Sequence, residues 1–319
     1  MGDPAGVGPE LIVRALHSDG GEGVTVYGDP FVLRAAALRL GLPKPEACAA
    51  AVVEITRLAG ERPGVPSNAG AAAQVAYLEA AIAAIARREL DALCTAPIHK
   101  AQARRAGFAF PGHTEFLAER IGGGRDVAMM LTGPHLRVVP VTTHIGLSQV
   151  AKVLSPDRIA RVCSLTIAGL HHDFGIERPR LAVAGLNPHA GEQGQFGDEE
   201  TRLIAPAIAA VRKNPLLQRI AFEIAGPQVP DVVFRTAAAP PIGDGRYDAV
   251  VAMYHDQALI PLKLIDFDQA VNVTLGLPLP RTSPDHGVAY DLAGTGRARD
   301  TSFRAALALA RRLTEMRRR

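Results

Sequence analysis

Along this chain, short unbroken apolar runs alternate with longer stretches in which apolar residues return at helical spacing. The pattern predicts strands and helices in layers, an α/β fold. Val24-Thr25-Val26-Tyr27 and Ala51-Val52-Val53-Glu54-Ile55 read as strands, with a helix from about Pro30 to Leu40 between them. An alanine-rich helix is expected from about Gly70 to Arg88, then a short buried strand at Ala92-Leu93-Cys94-Thr95. Val127 to Leu131 and Leu136 to Val139 flank Gly133-Pro134, the signature of a hairpin. Ser155-Pro156-Asp157 starts a helix with proline at its first position, and Ile159, Val162, Cys163, Ile167 and Leu170 give it one apolar face. Asp198-Glu199-Glu200 opens another helix, with Ile204, Ile208 and Val211 on one side. The last helix follows Asp300 and turns Phe303, Leu307, Ala310 and Leu313 inward. Pro227 to Gly245, rich in proline and glycine, is expected to be a long loop or a flap.

Three of the apolar runs end alike. Val138 to Thr143 leads into His144, Leu181 to Pro188 into His189, and Ala249 to Tyr254 into His255. Open α/β sheets bind ligands outside the carboxyl ends of their strands. Any one of these histidines alone reads as a hydrogen-bonded loop residue. All three in one context point to a divalent metal held by imidazoles, with coordination positions left for substrate.

Composition narrows the class. A chain of 319 residues suffices for one large α/β domain or two lobes. A net charge of +3 implies no strong field for nucleic acid or a membrane surface, and Arg317-Arg318-Arg319 reads as a solvated helix end. No apolar stretch is long enough to span a bilayer without a charge, and no signal peptide opens the chain. Cys48, Cys94 and Cys163 lack paired spacing, so neither a disulfide framework nor a cysteine zinc site is expected; a reducing cytoplasm fits.

Other segments carry chemistry. Gly112-His113-Thr114-Glu115 precedes a helical stretch from Phe116 to Ile121; either Thr114 caps that helix, or its N-terminus and His113 bind an anion. Lys263, Asn272 and Arg281 follow Tyr254-His255-Asp256-Gln257 and are either scattered surface residues or a phosphate or carboxylate clamp. Asp285-His286-Gly287 and Ala293-Gly294-Thr295-Gly296 form a glycine-rich segment, either a plain turn or a close backbone approach to a nucleotide. No G-x-G-x-x-G follows a strand, so a Rossmann-type site is not expected. Lys100, or an aspartate such as Asp256, is a candidate proton acceptor beside a metal-held alcohol. The glycine-rich turn from Gly2 to Glu10 normally follows a strand, so the functional chain is expected to begin upstream of Met1, with a strand slot beside Gly2.

Taken together, GDPAGVGPE from Gly2, TAPIHK from Thr95, GHTEF from Gly112, TTH ending at His144, GLNPHAGE from Gly185, MYHDQ from Met253, VNVTLGLP from Val271 and RTSPDHG from Arg281 resemble the 4-hydroxythreonine-4-phosphate dehydrogenase family of vitamin B6 biosynthesis. The likeness runs over nearly the whole chain in order. It implies two α/β/α lobes with a cleft, like isocitrate and isopropylmalate dehydrogenases. The first lobe would hold residues 1–98 and 247–319 and the nucleotide; the second would hold residues 99–246. By resemblance, His144, His189 and His255 bind one zinc, magnesium or cobalt ion. His113, Thr114, Lys263, Asn272 and Arg281 bind substrate, Lys100 and Asp256 are catalytic, and Asp285, His286, Gly287, Gly294 and Gly296 meet NAD or NADP. The resemblance also implies a homodimer with its active site at the interface, and no nucleic-acid or membrane partner. The implied reaction oxidises 4-phosphooxy-L-threonine and decarboxylates it to 3-amino-2-oxopropyl phosphate. Related enzymes oxidise 4-phospho-D-threonate or 4-phospho-D-erythronate, or an aromatic-acid dihydrodiol. A phosphate acyltransferase of similar fold and a non-catalytic metal-binding protein are the readings from other classes. Ala258, Gly146 and Gln193 depart from the usual glycine, proline and glycine of the family, and every expected ligand stays in place.

Overall fold

The computed structural model describes every residue except Gly20 and Arg319. The chain divides into two compact units: Met1–Gly123 with Arg281–Ala310, and Gly124–Pro280 with the residues from Arg311 on. The first unit contributes α1 (Gly8–Asp19), β1 (Thr25–Gly28), α2 (Pro30–Leu40), β2 (Ala51–Glu54), α3 (Asn68–Ala86), β3 (Leu93–Cys94), α4 (Lys100–Arg105) and α5 (His113–Ile121). The second contributes β4 (Ala128–Thr132), β5 (Arg137–Pro140), α6 (Leu147–Val153), α7 (Pro156–His172), β6 (Arg180–Ala184), α8 (Ala205–Arg212), β7 (Glu223–Gln228), α9 (Pro230–Ala237), β8 (Ala249–Ala252), α10 (His255–Asp266) and β9 (Val271–Leu275). The chain then returns to the first unit with β10 (Arg281–Pro284) and the start of α11 (Thr301–Arg318).

In the first unit, β1 pairs parallel with β2, and β3 pairs parallel with β10, setting Leu93 opposite Arg281. The fully buried Asp29 caps α2, accepting the N–H groups of Phe31 and Val32, and Gly41 ends that helix at φ 65°. Leu11 and Leu16 of α1 pack with Leu33 and Ala36 of α2 and with Phe303.

In the second unit the strands follow one another as β9-β4-β5-β8-β6-β7. β4 runs antiparallel to β9 and to β5, while β5, β8, β6 and β7 are parallel, so the sheet is mixed. The hairpin expected around Gly133-Pro134 is β4–β5, its turn held by the buried Asp266 carboxylate, which accepts the N–H groups of His135 and Leu136. Val138, Ala182 and Val250 from the central strands meet Val233 and Phe234 of α9 and Leu262 of α10. Strands covered on both faces have no polar side to show, which is why they read as continuous apolar runs.

Two expectations change. The units divide at 123/124 and 280/281, not at 98/99 and 246/247. α4 and α5 pack against α3, which keeps them in the first unit, and β8 lies between β5 and β6, which puts it and α10 in the second. Pro227 to Gly245 is not all loop, because Pro230 starts α9, whose Val233, Phe234 and Ala237 are buried. α3 is long and apolar enough by composition to cross a membrane, yet half of it is buried within its unit. At the chain start, the Met1 ammonium donates to the Tyr27 carbonyl and the Asp3 N–H to the Pro97 carbonyl.

Candidate active site

The three histidines rise from the carboxyl ends of three neighbouring parallel strands. His144 follows β5, His255 follows β8 and His189 follows β6. The imidazoles of His144 and His255 stand 5.9 Å apart, centroid to centroid. His189 stands 6.2 Å from the Phe196 ring. Among the described residues, no three His, Cys, Asp or Glu side chains are gathered closely enough to hold an ion. The donor types suit a divalent ion, but the structure brings only the His144 and His255 rings near one another and does not gather all three around one point. Asp256 is exposed, and its carboxylate bonds Nδ1 of His255 at 2.7 Å. That contact engages Nδ1 and leaves Nε2 as the ring nitrogen for another partner, as carboxylates do for metal-binding histidines.

Backbone strain marks the same edge. His144 has φ 31° and His189 has φ 51°. Non-glycine residues seldom adopt this region and cluster at functional sites when they do. The strand ends are also tied to one another. Thr142 donates its hydroxyl to the Met253 carbonyl at 2.8 Å, joining the end of β5 to that of β8. Gln257 accepts the Met253 N–H at 2.7 Å and donates to the Gly185 carbonyl at 2.8 Å, joining β8 to β6. Sequence reading passed over Thr142 and Gln257; only their place inside TTH and MYHDQ marked them.

A second cluster lies in the first unit. Arg281 opens β10 and is only 3% exposed. Its Nη2 donates to the Thr95 hydroxyl at 2.7 Å and to Nδ1 of His113 at 3.2 Å. Because a guanidinium only donates, Nδ1 accepts and the proton of neutral His113 sits on Nε2. Burial, and then the charges of Arg281 and Lys100 among others, hold His113 well below the usual histidine range. Burial also lowers the Arg281 guanidinium to about 10. His113 is the first residue of α5, and the cap position is Gly112, which offers no side-chain bond. The capping expected of Thr114 therefore does not occur: Thr114 lies inside the first turn, past the cap. The α5 start keeps its orphan N–H groups and positive dipole end. Lys100, exposed at the start of α4, brings its ammonium alongside; a Cβ on Gly112 would sit 3.6 Å from Nζ. Guanidinium, ammonium, imidazole N–H and helix start together gather positive charge and donors at one place.

The remaining candidates are placed as follows. Lys263 lies on α10 with its ammonium 5.8 Å from the Phe267 ring centroid, and Asn272 lies on β9 opposite Leu131 with a buried, unpartnered Oδ1. Both belong to the second unit, whereas His113, Thr114 and Arg281 belong to the first. Gly294 and Gly296 have φ 81° and 70°, and both are bound to α1: the Gly294 N–H donates to buried Glu10 at 2.6 Å, and the Gly296 carbonyl accepts from Arg14. Asp285 N–H bonds the Ser302 hydroxyl, His286 is exposed, and nothing stands within 4 Å of where a Gly287 Cβ would be. That opening lets a ligand approach the backbone at Gly287.

A family model described as "Pyridoxal phosphate biosynthetic protein PdxA" matches residues 22–310. A 4-hydroxythreonine-4-phosphate dehydrogenase of Desulfosudis oleivorans is 46% identical over 331 residues, covering 97% of this chain and 93% of that protein. One from Paracoccus denitrificans is 44% identical over 325 residues, covering 99% and 97%. The crystal structure of 4-hydroxythreonine-4-phosphate dehydrogenase from Klebsiella pneumoniae superposes with a TM-score of 0.84 at 39% identity, covering 98% of each chain. That of a terephthalate 1,2-cis-dihydrodiol dehydrogenase from Burkholderia xenovorans gives 0.65 at 29% identity, covering 97% and 95%.

Proposed function

The chain belongs to the PdxA family, the 4-hydroxythreonine-4-phosphate dehydrogenases of pyridoxal phosphate biosynthesis, and on that premise we propose how its residues share the oxidation. The substrate is 4-phosphooxy-L-threonine, and the observation that carries the reading is the trio of histidine loops on neighbouring strands β5, β8 and β6. His144, His189 and His255 would hold a zinc, magnesium or cobalt ion, with Asp256 orienting His255. When bound, the ion supplies Lewis-acid polarisation of the C3 oxygen and NAD(P) supplies the hydride acceptor.

The chain's own residues do the rest. Arg281, Nε2–H of His113 and the α5 start bind the phosphate. The low pKa of His113 keeps it a neutral donor, so it adds a hydrogen bond without a titrating charge. Thr114, Lys263 and Asn272 complete substrate contact, and the buried Asn272 Oδ1 is suited to accept a substrate donor. Lys100 or Asp256 takes the hydroxyl proton. The keto acid then loses CO2 to leave 3-amino-2-oxopropyl phosphate. Asp285, His286 and Gly287 face the nucleotide, and Gly294 and Gly296 shape its loop against α1.

The same proposal includes lobes of the isocitrate and isopropylmalate dehydrogenase type, a cytoplasmic location and a homodimer with the site at its interface. The dimer is supported by Ile260, Leu264 and Phe267 on and just after α10, which expose 67%, 85% and 64% of their surfaces on the helix that begins with His255. The test is NAD(P)H formation from 4-phosphooxy-L-threonine by enzyme stripped with chelator and then restored with each metal. Loss and recovery are expected. Undiminished turnover by metal-free enzyme contradicts the three-histidine centre.

A further inference from the structure

The loop that carries His189 is wrapped around a carboxylate to which no role has yet been given. Glu200 is 4% exposed. Its Oε1 accepts the backbone N–H groups of Leu186 and Asn187, each at 2.8 Å, and its Oε2 accepts the Asn187 side-chain amide at 3.0 Å. A Cβ at Gly185 would lie 3.1 Å from Oε1, and one at Gly191 2.7 Å from Oε2. Both ends of the loop thus close on this one group, and the glycines leave it room.

Between those two contacts the backbone makes its most unusual turn. His189, Ala190, Gly191, Glu192 and Gln193 all have positive φ, from 40° to 81°. L-residues disfavour this conformation, and a run of them persists only where the surroundings over-determine it. Glu200 is placed to do so. Its carboxylate would be costly to bury without donors, and the donors it finds are those of the loop itself.

Its placement is built into the helix behind it. Glu200 begins a five-residue π turn, Glu200–Ile204, that leads into α8. It shares the buried face with Leu203, Ile204, Ala207, Ile208 and Val211. Asp198, two residues earlier, takes the ordinary part of an acidic helix start and pairs with Arg202 on the surface. Single π turns within helices are frequent at functional sites.

We propose that Glu200 is a positioning residue: its carboxylate sets the left-handed turn that presents His189 as a metal ligand. The inference rests on His189 being a ligand, and the test separates the two. Cobalt(II) is titrated into the full chain without substrate, following the visible cobalt spectrum and calorimetric binding, for the wild type, Glu200→Gln and His189→Ala. Glutamine keeps the shape and an oxygen acceptor but sets a donor against the Asn187 amide. The expected result is a cobalt dissociation constant raised about 10–100-fold in Glu200→Gln, with an altered spectrum and a thermal midpoint close to wild type. Asn187→Ala, which removes the contact to Oε2 from the loop side together with the amide's 2.8 Å bond to Glu199, should weaken cobalt in the same direction and covers the case in which Glu200→Gln does not fold. A merely structural Glu200 would lower the midpoint and leave the affinity of the folded protein unchanged. If His189→Ala loses cobalt affinity while both other variants bind within twofold of wild type, the positioning role is overturned. If His189→Ala itself binds like wild type, the three-histidine reading fails and this inference with it.

Discussion

Replacing Arg281 with methionine should separate binding from stability. The guanidinium is 3% exposed, and burial has lowered its pKa from 12.5 to about 10. A depression of that size corresponds to a penalty on the charged form of about 3 kcal/mol, as an order of magnitude. Its bonds to Thr95 and His113 return roughly 1 kcal/mol each. Methionine fills similar volume without a charge to desolvate. The folded state should therefore be unchanged or more stable by about 1 kcal/mol, a rise of roughly 2–4 °C in the thermal midpoint. Function should move the other way. Losing a charge-assisted bond to phosphate costs about 1.5–3 kcal/mol, or roughly 10–150-fold in kcat/KM for the phosphorylated substrate. Midpoints by calorimetry, with and without inorganic phosphate, and steady-state kinetics measure both sides. Phosphate should raise the wild-type midpoint and leave that of Arg281→Met unmoved. A variant that melts several degrees lower yet binds phosphate like wild type would show Arg281 to be structural and refute the anion site.

His113 makes a pH prediction. Its pKa is lower folded than unfolded, so the unfolded chain takes up the proton first as pH falls. The stability it contributes is present above about pH 6.5 and is lost below, by up to about 1.4 kcal/mol per pH unit until the folded pKa is reached. His113→Asn should flatten that slope in denaturant titrations between pH 7.5 and 5; an equal slope in both proteins contradicts the assignment. Leu264→Glu, at the most exposed point of the α10 stripe, should convert a two-chain mass in light scattering to a one-chain mass. Retention of the two-chain mass would move the interface elsewhere.

The residues that were legible in the sequence share a physical reason. β5, β6 and β8 are covered on both faces, so each stands out as an apolar run, and a histidine follows each of them at the same edge of the sheet. Arg281 was legible for a different reason, as the first residue after a rigid proline-containing run. What stayed hidden depends on partners far along the chain. Thr142 meets a carbonyl 111 residues away, Gln257 one 72 residues away, and Arg281 a hydroxyl 186 residues away. No periodicity announces such bonds. Glu200 was read as one of three acids at a helix start, and its direction was fixed by the π turn and the loop it faces. α9 was hidden by counting prolines and glycines, because Pro230 is the first residue of a helix and not a breaker within one. Capping by Thr114 was one of two readings because threonine favours that position, whereas the cap falls two residues earlier, at Gly112.

The central claim is that one divalent ion is held by His144, His189 and His255. Anomalous diffraction at the cobalt absorption edge, from crystals of the full chain equilibrated with cobalt(II), tests it most directly. The account predicts a peak bounded by one ring nitrogen from each of the three histidines, at about 2.0–2.2 Å, with His189 drawn in toward the other two. A peak that leaves out any of the three, or no peak at the ends of β5, β8 and β6, would contradict it.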